Sequence, residues 1–380
     1  MSIALHKTFS LLLLILIGIL LKRKILKEDH KNGLKIMILD LALPAMIFVA
    51  LLSIEVNHDL LILPLLALAF NGLMILATRY LLPLFGIENN TPTMRTLLLL
   101  LPSLAPGLSC FPFIVEFLGD EYLAWAALAD IGNKVFVLII AYLLATAWYY
   151  KINQLPVNSS WAKIKGLLMA MVKEPINLVI VTALVLLSFG VNLETLPTFL
   201  SESILMVKNM MTPLVLLYIG IAVVFNWSQI KMIWSVLVFR AGITFLFSGL
   251  LIALIPMPSE AAIILAIVFP LSACSFWPFA HMSAIRAMES LGKDEVKNES
   301  TFDLTLGINI LAISLPFSTL LILGVLSSAS YFVKPYSALL MGGLFLLIFI
   351  LPKLYQMILS KEFTFFDVSE PKVKDSTAND

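Results

Sequence analysis

Charge is scarce in this chain. Only 13% of its 380 residues are charged, against 60% hydrophobic, and the mean hydropathy is +1.00. A soluble domain cannot bury that share of apolar side chains, so the composition specifies a polytopic, all-helical membrane protein. The net charge is +1, which offers nucleic acid no basic surface and gives an acidic substrate no funnel. Cysteine is nearly absent. Cys110 and Cys274 lie inside apolar runs, at no zinc-ligand or CxxC spacing, and read as small buried hydrophobes rather than redox groups. No metal and no cofactor is expected. HExxH, GxSxG and paired DDxxD-like carboxylates are all missing, so hydrolysis and prenyl transfer lack their chemistry and no enzyme is expected. No sizeable soluble output domain is present, which argues against a receptor. The polar tail at 360–380 leaves a non-transporting sensor as an alternative.

What is present is a row of apolar segments, near 3–21, 34–54, 60–84, 96–118, 122–149, 174–190, 203–225, 231–256, 260–285, 301–325 and 334–356. Each approaches the roughly 20 residues that a bilayer requires. The N-terminal segment has no small-x-small cleavage site, and "KRKILK" follows its apolar core, so a retained first helix is expected. Lys and Arg recur at every second loop: six between Lys22 and Lys35, then Lys151 to Lys173, Lys231, and Arg286 to Lys297. The alternate loops "IEVNHDL", "GDEY", "NLETLPTFLSES" and "PMPSE" contain neither. This alternation predicts an outside N-terminus and a cytoplasmic C-terminus. The expected location is a bacterial inner (plasma) membrane.

Prolines give the row an internal order. "SCFPF" at 109–113 and "SFWPF" at 275–279 fall in the fourth and ninth spans. Pro44 and Pro213 fall in the second and seventh. The separations, 112 − 44 = 68 and 278 − 213 = 65, nearly match. Five spans per half is an odd number, so the second half enters the membrane inverted. Pro102, Pro106, Gly107 and Pro112, and then Pro270 and Pro278, make both proline-rich segments poor continuous helices. Broken helices at corresponding places of inverted repeats point to a binding site between them, with half-helix N-termini suited to an anion. The expected units are 1–149 and 174–327 as five-helix repeats, with a cytoplasmic linker at 150–173. An extra transmembrane helix (328–359) and a polar cytoplasmic tail (360–380) follow.

Several stretches carry a family likeness. "ILIGILLKRKILKEDHKNGLKIMILDLALPAMIF", "FPFIVEFLGDEYLAWAALADIGNKVF", and "KEPINLVIVTALVLLSFGVNLETLPTFL" with "MMTPLVLLYIGIAVVF" resemble the auxin efflux carrier family, in the bile-acid-transporter-like superfamily. The resemblance covers most of 8–325. It implies ten helices in two inverted repeats, with helices four and nine broken and crossing at mid-membrane. It also implies a scaffold of helices one, two, six and seven, often dimeric, against which the other six move. Its substrates are small organic anions such as auxin or dicarboxylates. The family often places Asn and Gly ahead of the first crossover proline. Ala105 and Cys110 stand there in this chain, which leaves the substrate open, and the eleventh span exceeds the ten-helix plan. The expected function is a secondary transporter (permease) moving a small organic anion, a carboxylate, by alternating access. A sodium-coupled bile-acid-type symporter is the alternative. The expected partners are that anion, membrane lipid and a second copy of the chain.

Polar residues at depth are the site candidates, because an ionisable group inside a bilayer is costly. Asp130, Asn133 and Lys134 share a face of the fifth span. Asp130 and Lys134 either neutralise each other or serve coupling, and Asn133 faces the crossover. Asn309 holds a comparable place in the tenth span. Glu116 and His281 follow Pro112 and Pro278 by four and three residues, on the expected first turn of each second half-helix. His281 serves either packing or anion contact. Asp40 and Asn209 precede Pro44 and Pro213 by four residues each and suit polar contacts between the repeats. Arg240 attracts an anion or pairs with an acid. Ser109, Cys110 and Pro112, with Ser275, Trp277 and Pro278, flank the two breaks as substrate contacts or as partners for freed backbone groups.

Overall fold

Hydroxyls, prolines and small residues set the helix ends in the computed structural model, which describes residues 3–24, 28–53, 60, 62–153, 165–166, 169, 175–222, 230–291 and 300–359. Most of the 150–173 linker and the 360–380 tail lie outside the described residues, as do Lys27, Lys163, Lys173, Lys293 and Lys297. Among the described residues every regular element is a helix. In chain order they are α1 (Ile3–Leu21), α2 (Asp29–Leu52), α3 (Ile62–Leu81), α4 (Pro92–Leu100), α5 (Phe111–Phe117), α6 (Asp120–Ile152) and α7 (Pro175–Ser188). There follow α8 (Thr198–Ile221), α9 (Ile230–Leu254), α10 (Glu260–Val268), α11 (Phe276–Leu291), α12 (Leu304–Ser327) and α13 (Pro335–Leu359).

Seven helices among the described residues are long and apolar enough to cross a membrane: those beginning at Asp29, Ile62, Asp120, Thr198, Ile230, Leu304 and Pro335. The protein is therefore a helical membrane protein. The first and sixth expected spans appear as α1 and the shorter α7. The fourth and ninth each divide in two, as α4 with α5 and α10 with α11. The expected eleventh span is present as α13.

Two long helices widen where regular winding fails. In α2 the Leu43 N–H reaches back five residues to Ile38 O, just ahead of Pro44, which has no N–H to give. In α6 the Ala141 N–H bonds Phe136 O in the same way. Gly119, at φ 95°, makes the left-handed turn between α5 and α6 that a side chain would strain.

Small residues then bring helices together. α1 crosses α8 at Gly18 and Gly220, where each backbone touches the other. α6 presses Gly132 against the Pro64 carbonyl of α3, where no Cβ fits. α9 and α13 form the most extensive helix pair, with Gly242 and Gly249 receiving Leu346 and Leu339. Rings of Phe239, Phe245, Phe345 and Phe349 fill the same seam. On its outer side α13 exposes Tyr336, Leu340, Leu344, Leu347 and Leu351, a stripe at three- and four-residue spacing suited to lipid. α2 lies against α7 and α8, and also against α6. The polar site sits where this second group of contacts meets the divided helices.

Candidate functional site

The site begins as two interruptions. Thr91 caps α4 by accepting from Met94 N at 3.2 Å, and Ser259 caps α10 by accepting from Ala262 N at 3.0 Å. Each helix runs nine residues. Pro102 and Pro270 then withhold the next backbone donors, and no regular helix continues over 101–105 and 269–275. The turn is the same in both. Ser103 donates from its hydroxyl and its N–H to Leu100 O, at 2.7 and 3.1 Å. Ser272 does so to Phe269 O, at 2.6 and 3.2 Å. These serines are 169 residues apart (272 − 103), and so are Pro44 and Pro213 (213 − 44).

The breaks lie upstream of the two prolines first expected to make them. After Ala105 comes a single turn, Pro106–Ser109, and only then α5, in which Pro112 is the second residue. Pro278 is the third residue of α11. A first helical turn has N–H groups without intrahelical acceptors, so proline costs little there. Glu116 and His281 are each the sixth residue of their helices, on the second turn and not the first.

The two breaks touch. Ala105 N donates to Ala273 O at 2.8 Å. Ala273 N donates to Ser109 Oγ and Ser275 N to Ser103 Oγ, each at 2.9 Å. Cys274 N donates to Ser314 Oγ at 3.3 Å, and the Cys110 thiol donates to Val268 O at 3.5 Å. Neighbouring helices claim the carbonyls of the first break in sequence. Arg240 donates to Leu101 O at 2.8 Å and to Ser103 O at 3.2 Å. The Asn71 amide donates to Pro102 O at 2.6 Å, and Asn133 Nδ2 donates to Leu104 O at 2.9 Å. Asn133 also receives Leu104 N on Oδ1 at 3.1 Å and donates to Asp130 Oδ1 at 2.8 Å. One amide thus ties the first break to α6 in both directions.

A cavity of about 620 Å³ opens beside the contact. Ala105, Pro106 and Gly107 line it from the first break, and Ala273, Cys274 and Ser275 from the second. α6 contributes Asp130, Asn133 and Lys134, and α2 contributes Lys31 and Lys35. Tyr218, Phe276 and Trp277 add aromatic surface, and Leu39, Leu43 and Leu311 supply much of the apolar wall. Three lysines against one aspartate leave a formal excess of two positive charges. Lys134 Nζ stands 3.6 Å from Asp130 Oδ2 and donates to Asn177 Oδ1 at 3.1 Å. Lys35 Nζ lies 4.8 Å above the Phe276 ring. Among the described residues no group of three His, Cys, Asp or Glu side chains comes together as a metal site.

Of the residues expected at a site, Asp130, Asn133, Lys134, Ser275 and Trp277 line this cavity. Ser109, Cys110, Pro112, Pro278, His281, Asn309, Glu116 and Arg240 do not. Ser109 is wholly buried, bonding Ala105 O at 2.8 Å in addition to Ala273 N, and so satisfies freed backbone. His281 Nε2 meets Val137 O at 2.9 Å, and its ring packs edge-on against Tyr142, a packing role. Asn309 is buried in α12, next to the cavity-lining Ile308. Glu116 is half-buried in α5. Asp40 and Asn209 are exposed, and the contact that forms nearby is Lys208 Nζ to Asp120 Oδ2 at 2.7 Å.

Sequence reasoning passed over Asn71, Ser103, Ser272, Asn177 and Lys35. Asn71 had a signal: it precedes Arg240 by the same 169 residues that separate the paired prolines (240 − 71). Lys35 counted only as a topology signal. In comparisons with known proteins, no family model and no curated protein matches the chain.

Proposed function

We propose that the protein is a secondary transporter for a small organic anion, a carboxylate, working by alternating access. One observation carries the reading: two interrupted helices meet beside a largely apolar cavity whose charged lining residues leave an excess of positive charge. Irregular backbone at membrane depth is tolerated where protein buries it or where it lines a cavity, and here both hold. The constant 169-residue offset of Pro44 and Pro213, Asn71 and Arg240, and Ser103 and Ser272 supports two repeats. Their inversion follows from five spans in each. α13 is an addition to that plan. The cavity is lined by one group of α2, α7 and α8 and by a second of the breaks, α6, α11 and α12. Sliding of one group past the other opens it to each side in turn. The resemblance to the auxin efflux carrier family agrees with this arrangement. The positive-residue pattern supports an outside N-terminus and a cytoplasmic C-terminus, and the proposed location is a bacterial inner membrane.

The test is uptake. Purified protein in liposomes is screened for counterflow of labelled mono- and dicarboxylates, with Lys35→Ala and Lys134→Ala as cavity variants. Saturable exchange of at least one carboxylate, weakened by Lys35→Ala, is expected. No exchange for any anion, with protein correctly inserted, refutes the reading.

A further inference from the structure

Every carbonyl of the first break is already engaged, and one of the donors is a cation. An unwound stretch of membrane helix turns its carbonyl oxygens inward, and in ion-coupled carriers those oxygens take a monovalent cation such as sodium. Here Leu101 O and Ser103 O bond the Arg240 guanidinium from α9, and Pro102 O and Leu104 O bond Asn71 and Asn133 from α3 and α6. Successive oxygens therefore alternate between partners, and the positive charge comes from α9 alone.

Arg240 is the eleventh of 25 residues in α9, about 15 Å along a helix of about 37 Å, and so near the bilayer middle. It is 3% exposed. Among the described residues no carboxylate pairs with it. Its charge is balanced by carbonyl dipoles, as that of a bound metal ion would be. The residue at the matching place in the first half, Asn71, is neutral. Arginine keeps its proton in proteins, so this group is not a proton carrier either.

We propose that Arg240 is a resident cation, holding the place that the break would otherwise offer to a coupling ion, so that the carrier works without sodium. This rests on the transport reading above, and it assigns Arg240 as a specificity-determining residue for coupling. A tethered cation cannot dissociate, so no sodium gradient can be spent through it. Its charge still adds to the attraction of an anion toward the breaks.

The experiment follows the melting temperature of the purified full-length protein in sodium, potassium and choline chloride at equal ionic strength. Wild type is expected to melt at one temperature in all three. Arg240→Ala vacates two carbonyls. It is expected to melt several degrees lower, and to regain part of that loss in sodium but not in choline. Arg240→Lys, which keeps the charge, is expected to remain indifferent to the salt. A saturable sodium-specific rise in wild type overturns the proposal. So does an Arg240→Ala protein that loses the same stability in all three salts, since the arginine is then only a staple. If Arg240→Ala does not fold, wild type and Arg240→Lys decide the matter by the same criterion. A failed carboxylate exchange, by contrast, refutes the transporter reading and leaves the salt comparison intact.

Discussion

Replacing Asn133 by alanine removes the amide that joins the first break to α6. Four hydrogen bonds go with it: two with the Leu104 backbone, one with Asp130 and a long one of 3.4 Å from Asn71. Leu104 is 1% exposed, so its N–H and C=O lose their partners in a buried place. Each such group costs about 1–3 kcal/mol, and the bond to the Asp130 carboxylate is worth about 1.5–3 kcal/mol. Leu104 borders the cavity, and water entering there restores part of the loss. The net expectation is a destabilisation of about 3–5 kcal/mol. Unfolding in mixed SDS micelles reads the global term. Hydrogen exchange in peptides covering 101–108 reads the local one. At about 1.4 kcal/mol per tenfold, the Leu104 amide is expected to exchange about a hundredfold faster. Stability within about 1 kcal/mol of wild type, together with exchange within about threefold, refutes the view that this amide holds the break.

Other outcomes follow from the same contacts. Lys134→Met strands Asp130 in a site where both side chains are only 6% exposed, at a cost of about 3–5 kcal/mol. Adding Asp130→Asn is expected to recover much of that in the same micelle titration, and a double variant as unstable as the single one argues against the pair. Pro112→Ala is expected to change stability by less than about 1 kcal/mol and to leave exchange at 101–105 unaltered, because Pro112 is the second residue of α5. Gly342→Leu drives side-chain atoms into Leu246 and the Gly242 carbonyl, which a Cβ at Gly342 alone would approach to 2.8 and 2.9 Å. Overpacking of this kind costs about 1–3 kcal/mol, and a purified variant as heat-resistant as wild type argues that the α9–α13 seam is loose.

Eleven apolar segments were legible because a bilayer imposes one length and one polarity on any helix that crosses it, and every segment coincides with a helix or a divided pair. The position of the breaks was less legible. Pro112 and Pro278 are conspicuous in "SCFPF" and "SFWPF", yet the helices yield earlier, at Pro102 and Pro270, where the missing N–H falls mid-helix. Proline content reports that a helix is weak, and position within the helix decides where it parts. For His281 the sequence leaves packing and anion contact both open. Its partner, Val137 O, is a backbone atom 144 residues away, which no side-chain pattern encodes. Asn133 was legible from its spacing to Asp130 and Lys134. Asn71 was not, because a lone amide in an apolar run resembles any other until its register against Arg240 is counted. Lys35 looked like one of many cytoplasmic positive charges, and only the path of α2 brings it to the cavity lining.

The seam between α9 and α13 has a bearing on biogenesis. α9 leaves the ribosome about eighty residues ahead of the helix that fills its glycine groove (335 − 254 = 81). Throughout that interval Gly242 and Gly249 face lipid or an insertase rather than Leu346 and Leu339. Truncation before Pro335 would make the interval permanent, and a quality-control protease that surveys unpaired membrane segments would find its substrate at α9.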